Sequence, residues 1–155
     1  MPTKKLFSKK YYWLWIILLL SMVVWVLSIR ATKNNLATVE INNQIFSCFV
    51  AQTNLEKYQG LSGRPELETK QGMIFVFNQE TPNFVMRNMN FPLDVIFINQ
   101  GKITKIYKNL KPEGPQPQIE YPADGATDYV LEINSGLSDQ YNFKINDEVK
   151  INFLN

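Results

Sequence analysis

Val95-Ile96-Phe97-Ile98, the turn signal Asn99-Gln100-Gly101, and Lys102-Ile103-Thr104-Lys105-Ile106-Tyr107 decide the fold. A short apolar, β-branched and aromatic run, a glycine-containing turn and a second strand-like run predict a β-hairpin. The pattern repeats outward in both directions. Met73 to Phe77 and Tyr129 to Ile133 read as buried strands. Val149, Ile151 and Phe153 alternate with Lys150 and Asn152, and Val39 and Ile41 alternate with Glu40 and Asn42, as in half-buried strands. Asn42-Asn43 is a turn into a further strand, Gln44 to Ala51.

Helices are few. Thr53-Asn54-Leu55-Glu56 has the form of a capping box and predicts a short helix through Gln59, stopped by Gly60. Ser135-Gly136-Leu137-Ser138-Asp139 opens a second one. Leu110 to Thr127, with Pro112, Gly114, Pro115, Pro117, Pro122 and Gly125, reads as one long loop, either a surface excursion or a segment that closes over a site. About seven short strands with one or two short helices predict a mostly β domain, a small barrel or sandwich, over residues 37–155.

The N-terminal part is of another kind. From Tyr11 to Ile29 there are 19 residues without a charge, which as a helix span about 28 Å, close to the apolar thickness of a bilayer. Tyr11, Tyr12, Trp13 and Trp15 cluster at one end, where amphipathic rings favour the headgroup level. Residues 1–10 carry Lys4, Lys5, Lys9 and Lys10, whereas only Arg30 and Lys33 follow closely. A single-pass membrane helix is expected, its N-terminus cytoplasmic, with 30–36 as spacer and the β domain extracytoplasmic. The lipid bilayer is then a partner through Tyr11 to Ile29. A cleaved signal peptide is the competing reading, but the run is long for one, and Arg30 stands where a small residue is wanted.

Composition removes several chemistries. The chain has no histidine, so Ser-His-Asp and Cys-His catalysis and histidine metal sites are excluded. One cysteine, Cys48, makes no internal disulfide and no zinc site; alternating with Phe46 and Val50, it reads as core. No metal or other cofactor is expected. From Ala31 onward there are 11 basic and 14 acidic residues, a net of −3, which gives no footprint for nucleic acid.

Four stretches together resemble a known family. Glu56-Lys57-Tyr58-Gln59-Gly60-Leu61-Ser62-Gly63-Arg64 is similar to its Glu-Arg-x-x-Gly-Leu-Met-x-Arg segment. Gly72-Met73-Ile74-Phe75-Val76-Phe77 and Phe84-Val85-Met86-Arg87-Asn88-Met89-Asn90-Phe91-Pro92-Leu93-Asp94 are similar to two central blocks. Tyr129-Val130-Leu131-Glu132-Ile133-Asn134-Ser135-Gly136 is similar to the closing one. The family is the domain of unknown function 192 (DUF192), prokaryotic and often exported. The resemblance spans about Val39 to Ile151 and implies one mostly β domain and an exported location, but no activity. Ser62 stands where the family usually has Met, Asn88-Met89 replaces Asn-Thr, and Asn146-Asp147 replaces Gly-Asp.

Candidate site residues follow from side-chain type. If Phe84 to Met89 is a strand, Phe84, Met86 and Asn88 share one face and Val85, Arg87 and Met89 the other. An apolar wall with a few polar groups is the make-up of a small-ligand pocket. The plain alternative is a core strand with Arg87 solvated or paired. Asp94 either accepts backbone hydrogen bonds or pairs with Arg64 or Arg87, or else acts as acid, base or ligand anchor. Glu132, between apolar neighbours, faces solvent or is buried with a partner. With Asp94 it would make a carboxylate pair of the kind that cleaves glycosidic bonds, given the right separation. The expectation is a non-catalytic module binding a small molecule, an envelope polymer or another envelope protein through Phe84, Met86, Arg87, Asn88 and Asp94, with Arg64 and Glu132 in support. A carboxylate-dependent envelope hydrolase or transferase, and a purely structural or protein-interaction domain, are the alternatives.

Overall fold

Every residue from Leu93 to Ile98 is buried. Both faces of the sheet are therefore covered at this strand, where a half-buried hairpin would alternate. The computed structural model describes residues 12–31 and 36–154, with side chains in the first segment as far as Met22. It divides into two compact units, Met1–Asn34 and Asn35–Asn155.

In the first unit, helix α1 spans Tyr12–Ala31. Among the described residues no helix is long and apolar enough to cross a membrane. The described side chains of α1 end at Met22, so the second half of the expected span lies outside them, as do the basic tail 1–10, Tyr11 and residues 32–35 of the spacer.

In the second unit, chain order is β1 (Leu36–Ile41), β2 (Gln44–Ala51), α2 (Asn54–Gln59), β3 (Gln71–Glu80), β4 (Asn83–Phe84), β5 (Leu93–Asn99), β6 (Lys102–Leu110), β7 (Tyr121–Pro122), β8 (Thr127–Asn134), α3 (Leu137–Gln140) and β9 (Val149–Leu154). Seven strands form one sheet in the order β6-β5-β8-β3-β2-β1-β9, and β4 pairs with β7 in a separate ribbon. The outer strands meet at one corner. Ile103 N–H donates to the Asp147 carbonyl (3.0 Å), Asn146 N–H to the Ile103 carbonyl (2.8 Å) and Val149 N–H to the Gly101 carbonyl (2.8 Å). The sheet thus curls into a partly closed barrel, which satisfies part of two exposed edges.

The turns are those the sequence calls for. Asn42 and Asn43 have φ of 49° and 63°, and Gln100 and Gly101 have 50° and 68°. Both hairpins therefore close on paired left-handed residues, the turns whose twist suits two-residue connections. Thr53 and Glu56 complete the capping box of α2, and Gly60 ends it at φ 50° and ψ −134°, a conformation nearly confined to glycine.

Alternation along the strands separates two cores. Inside the barrel lie Ile41, Phe46, Cys48, Ile74, Ile96, Ile98, Leu131 and Ile133 with their neighbours. On the outer face Met73, Phe75, Leu93, Val95, Phe97 and Val130 are covered by Leu61, Leu67, Met86, Met89 and Ala123. β2 and β3 are parallel, so their connection must cross over the sheet. That crossover carries α2 and Leu61 onto the outer face.

Two expectations are corrected. Leu110 to Thr127 is not one open loop: β7 pairs with β4, Glu113 N–H donates to the Met86 carbonyl at 2.9 Å, and Asn88 N–H donates to the Gly114 carbonyl at 3.1 Å. Prolines limit each pairing to one or two residues, too few for a readable period. Nor is Phe84 to Met89 a strand with Phe84, Met86 and Asn88 on one face. β4 ends at Phe84, and Asn88, at φ 50°, turns the chain so that Met86 and Met89 are both buried while Asn88 is exposed.

Candidate functional site

A pocket of about 340 Å³ opens on the outer face, between the end of α2 and the segment 82–89. Its apolar walls come from three phenylalanines packed edge to face. The rings of Phe75 and Phe84 lie 4.9 Å apart, those of Phe77 and Phe84 6.1 Å. Phe75 and Phe77 reach the pocket because alternate residues of β3 face outward.

The mouth is made by α2 and the residues after it. Lys57 lies over the Phe77 ring at 4.2 Å, 3.9 Å from the Glu80 carboxylate. The Arg87 guanidinium stacks 3.8 Å from the centre of the Tyr58 ring and donates to the Tyr58 carbonyl at 2.5 Å. A cation there meets the carbonyl end of the helix, where it is favoured. Ser62 Oγ donates to the Arg87 carbonyl at 2.7 Å, tying the α2 segment to segment 82–89.

Glu132 is the buried charged-type side chain of the pocket lining. It lies on β8, opposite Met73 of β3 and Val95 of β5. It is only 6 % exposed, and its Oε2 has no hydrogen-bond partner. Burial pushes its carboxyl up to about 8, because a charge on it would be stripped of water with no cation to replace it.

The expected site residues separate into two groups. Phe84, Arg87 and Glu132 converge on the pocket. Met86 is buried in the outer core, and Asn88 is exposed, serving through its backbone. Arg64 covers the Phe49 ring at 4.0 Å. Asp94 is fully buried and accepts N–H groups from Asn109 at 2.8 Å, Gly136 at 3.2 Å and Ser138 at 2.9 Å, the backbone role weighed for it. Lys57, Tyr58, Ser62, Phe75, Phe77 and Met89 also line the pocket and are not among the expected residues. The capping box was the available signal for the α2 residues, since it fixes where the helix ends. Among the described residues no group of three acidic or cysteine side chains could hold a metal ion.

The comparisons agree with this architecture. A solved structure of a protein of unknown function from Novosphingobium aromaticivorans DSM 12444 is 35% identical, with a TM-score of 0.67 over 74% of this chain and 83% of that one. A candidate transcription regulator from Sinorhizobium meliloti 1021, 23% identical, shares the fold with a TM-score of 0.68 over 76% of this chain and 92% of that one. No curated protein matches the sequence. The model of an uncharacterised family, DUF192, matches residues 37–151, and the chain belongs to that family.

Proposed function

We propose that the chain is a membrane-anchored, extracytoplasmic binding module that takes a small, largely apolar ligand into the pocket between α2 and segment 82–89. The observation that carries the binding role is the pocket itself, in which aromatic walls converge on a buried carboxyl whose Oε2 lacks a partner. Its volume of about 340 Å³ is at the lower end for small-molecule sites, which favours a compact ligand over an envelope polymer. The anchor reading rests on the sequence: the 19 uncharged residues from Tyr11 to Ile29 and the four lysines among residues 1–10.

The hydrolase alternative required Asp94 and Glu132 to face one cleft. Asp94 is opposite Ile133, and Val95 is opposite Glu132, so the two carboxyls leave the sheet on opposite faces. The pair is therefore not carried further. The regulator description of the Sinorhizobium neighbour is not carried over either, since a net of −3 beyond residue 30 gives no electrostatic footprint for nucleic acid.

The test is thermal unfolding of the full-length protein against envelope sugars, peptides, lipids and small aromatic metabolites. A ligand at a hundred times its dissociation constant adds about 2.7 kcal/mol, several degrees of melting temperature. The shift is expected to vanish in Val85→Trp, which puts an indole at a position lining the pocket. A shift that survives this substitution places the ligand elsewhere, and a flat panel removes the small-ligand reading.

A further inference from the structure

Resting on that pocket, we infer that the ligand enters with an uncharged end first and presents a hydrogen-bond acceptor of the amide or ketone class to the Glu132 carboxyl. The geometry supplies the reason. Glu132 Oε2 is buried without a partner, and Glu132 lines the pocket together with Phe75, Phe77, Phe84, Leu61 and Met89 and with polar residues that include Gln59, Ser62 and Asn83. A hydrocarbon tip would leave that oxygen unsatisfied, whereas an acceptor completes it.

A cationic tip is the other chemistry that suits a carboxyl, and the mouth opposes it. Both basic side chains lining the pocket are held near its opening. Lys57 lies on Phe77 beside the exposed Glu80, and Arg87 lies on the exposed ring of Tyr58. An ammonium group would pass two like charges to reach an acid that burial keeps protonated at neutral pH. A carbonyl oxygen meets neither obstacle and accepts the proton that the neutral carboxyl already carries. The aromatic walls then receive an apolar or aromatic body, and the two cations tolerate an anionic or polar group at its outer end.

The experiment uses full-length protein in lipid nanodiscs with carbon-13 methyl-labelled methionine, since Met89 lines the pocket. Three ring-bearing probes of similar size are titrated at pH 7: phenylacetamide, phenethylammonium and ethylbenzene. Phenylacetamide is expected to move the Met89 signal saturably and to bind tightest of the three. Its affinity should persist in Glu132→Gln, whose amide still donates, and fall about fivefold in Glu132→Leu. In the wild type it should fall about tenfold per pH unit above about 8, and in Glu132→Gln it should not. If Glu132→Leu fails to fold, the contrast in pH dependence between wild type and Glu132→Gln carries the test. Preferential binding of phenethylammonium, strengthening as pH rises, would overturn the inference while leaving the pocket in place. Equal binding of phenylacetamide and ethylbenzene would do the same. If none of the three moves Met89, the pocket reading falls as well.

Discussion

Asp94 and Glu132 sit on adjacent strands one register step apart, Asp94 opposite Ile133 and Val95 opposite Glu132, and their carboxyls leave the sheet on opposite faces. One is saturated with backbone donors; the other has an oxygen with none. Asp94 thus ties elements of the fold together, whereas Glu132 lines the pocket.

For Asp94 the expected outcome is a loss of stability. Its two oxygens accept three N–H groups, from Asn109, Gly136 and Ser138, and so fasten α3 and the end of β6 to β5. Asp94→Ala leaves those buried donors unpaired, at a cost of about 3 kcal/mol. Chemical denaturation of the full-length protein measures it. A change below about 0.5 kcal/mol would show that water replaces the carboxylate freely.

For Glu132 the outcome depends on pH. Its carboxyl is raised from 4.5 to about 8 in the folded chain, so between these values the native state holds a proton that the unfolded state has released. Stability therefore falls with rising pH through this window and levels off above about 8. Glu132→Gln lacks the titration. The stability difference between Glu132→Gln and wild type should grow by about 1.4 kcal/mol per pH unit across the window. Urea titrations at pH 5, 6, 7 and 8 give that slope, and a flat difference would mean the carboxyl is solvated in the native protein.

The strands and turns were legible because each is local. Period-two alternation, paired asparagines at 42–43 and a Thr53–Glu56 capping box need no knowledge of the rest of the chain. The pocket was legible only in part. Arg87 and Glu132 stand out as charges among apolar residues, but Phe75 and Phe77 look like core until the parallel β2–β3 crossover sets α2 above them. Phe84, Met86 and Asn88 do not share a face because a left-handed residue at 88 breaks the period that a strand would keep. Asp94 looked like a site residue because its donors, at 109, 136 and 138, are remote in sequence.

Cys48 should be chemically silent. It is fully buried inside the barrel, and burial pushes its thiol up to about 12, so almost no thiolate exists at neutral pH. Labelling by a thiol-specific reagent is expected to track global unfolding, rising steeply with denaturant. Stoichiometric labelling of the native protein within minutes would contradict this burial.

Gly72 is expected to be the least replaceable residue behind the pocket. A Cβ there would lie 2.8 Å from the Glu132 carbonyl oxygen, 3.1 Å from Cys48 Sγ and 3.3 Å from Leu131 Cδ1. The first of these is backbone within the β3–β8 ladder and cannot swing away as a side-chain tip would. Gly72→Ala must therefore push β8 from β3, and Glu132, paired beside it, moves too. The cost of such overpacking is about 2 kcal/mol. Cys48→Ala removes the second obstacle but not the first. The double variant Gly72→Ala, Cys48→Ala should therefore recover little of the loss. Denaturation of both variants, compared with Cys48→Ala alone, decides it. Full recovery would show that the thiol, and not the closeness of the strands, is what requires glycine at this position.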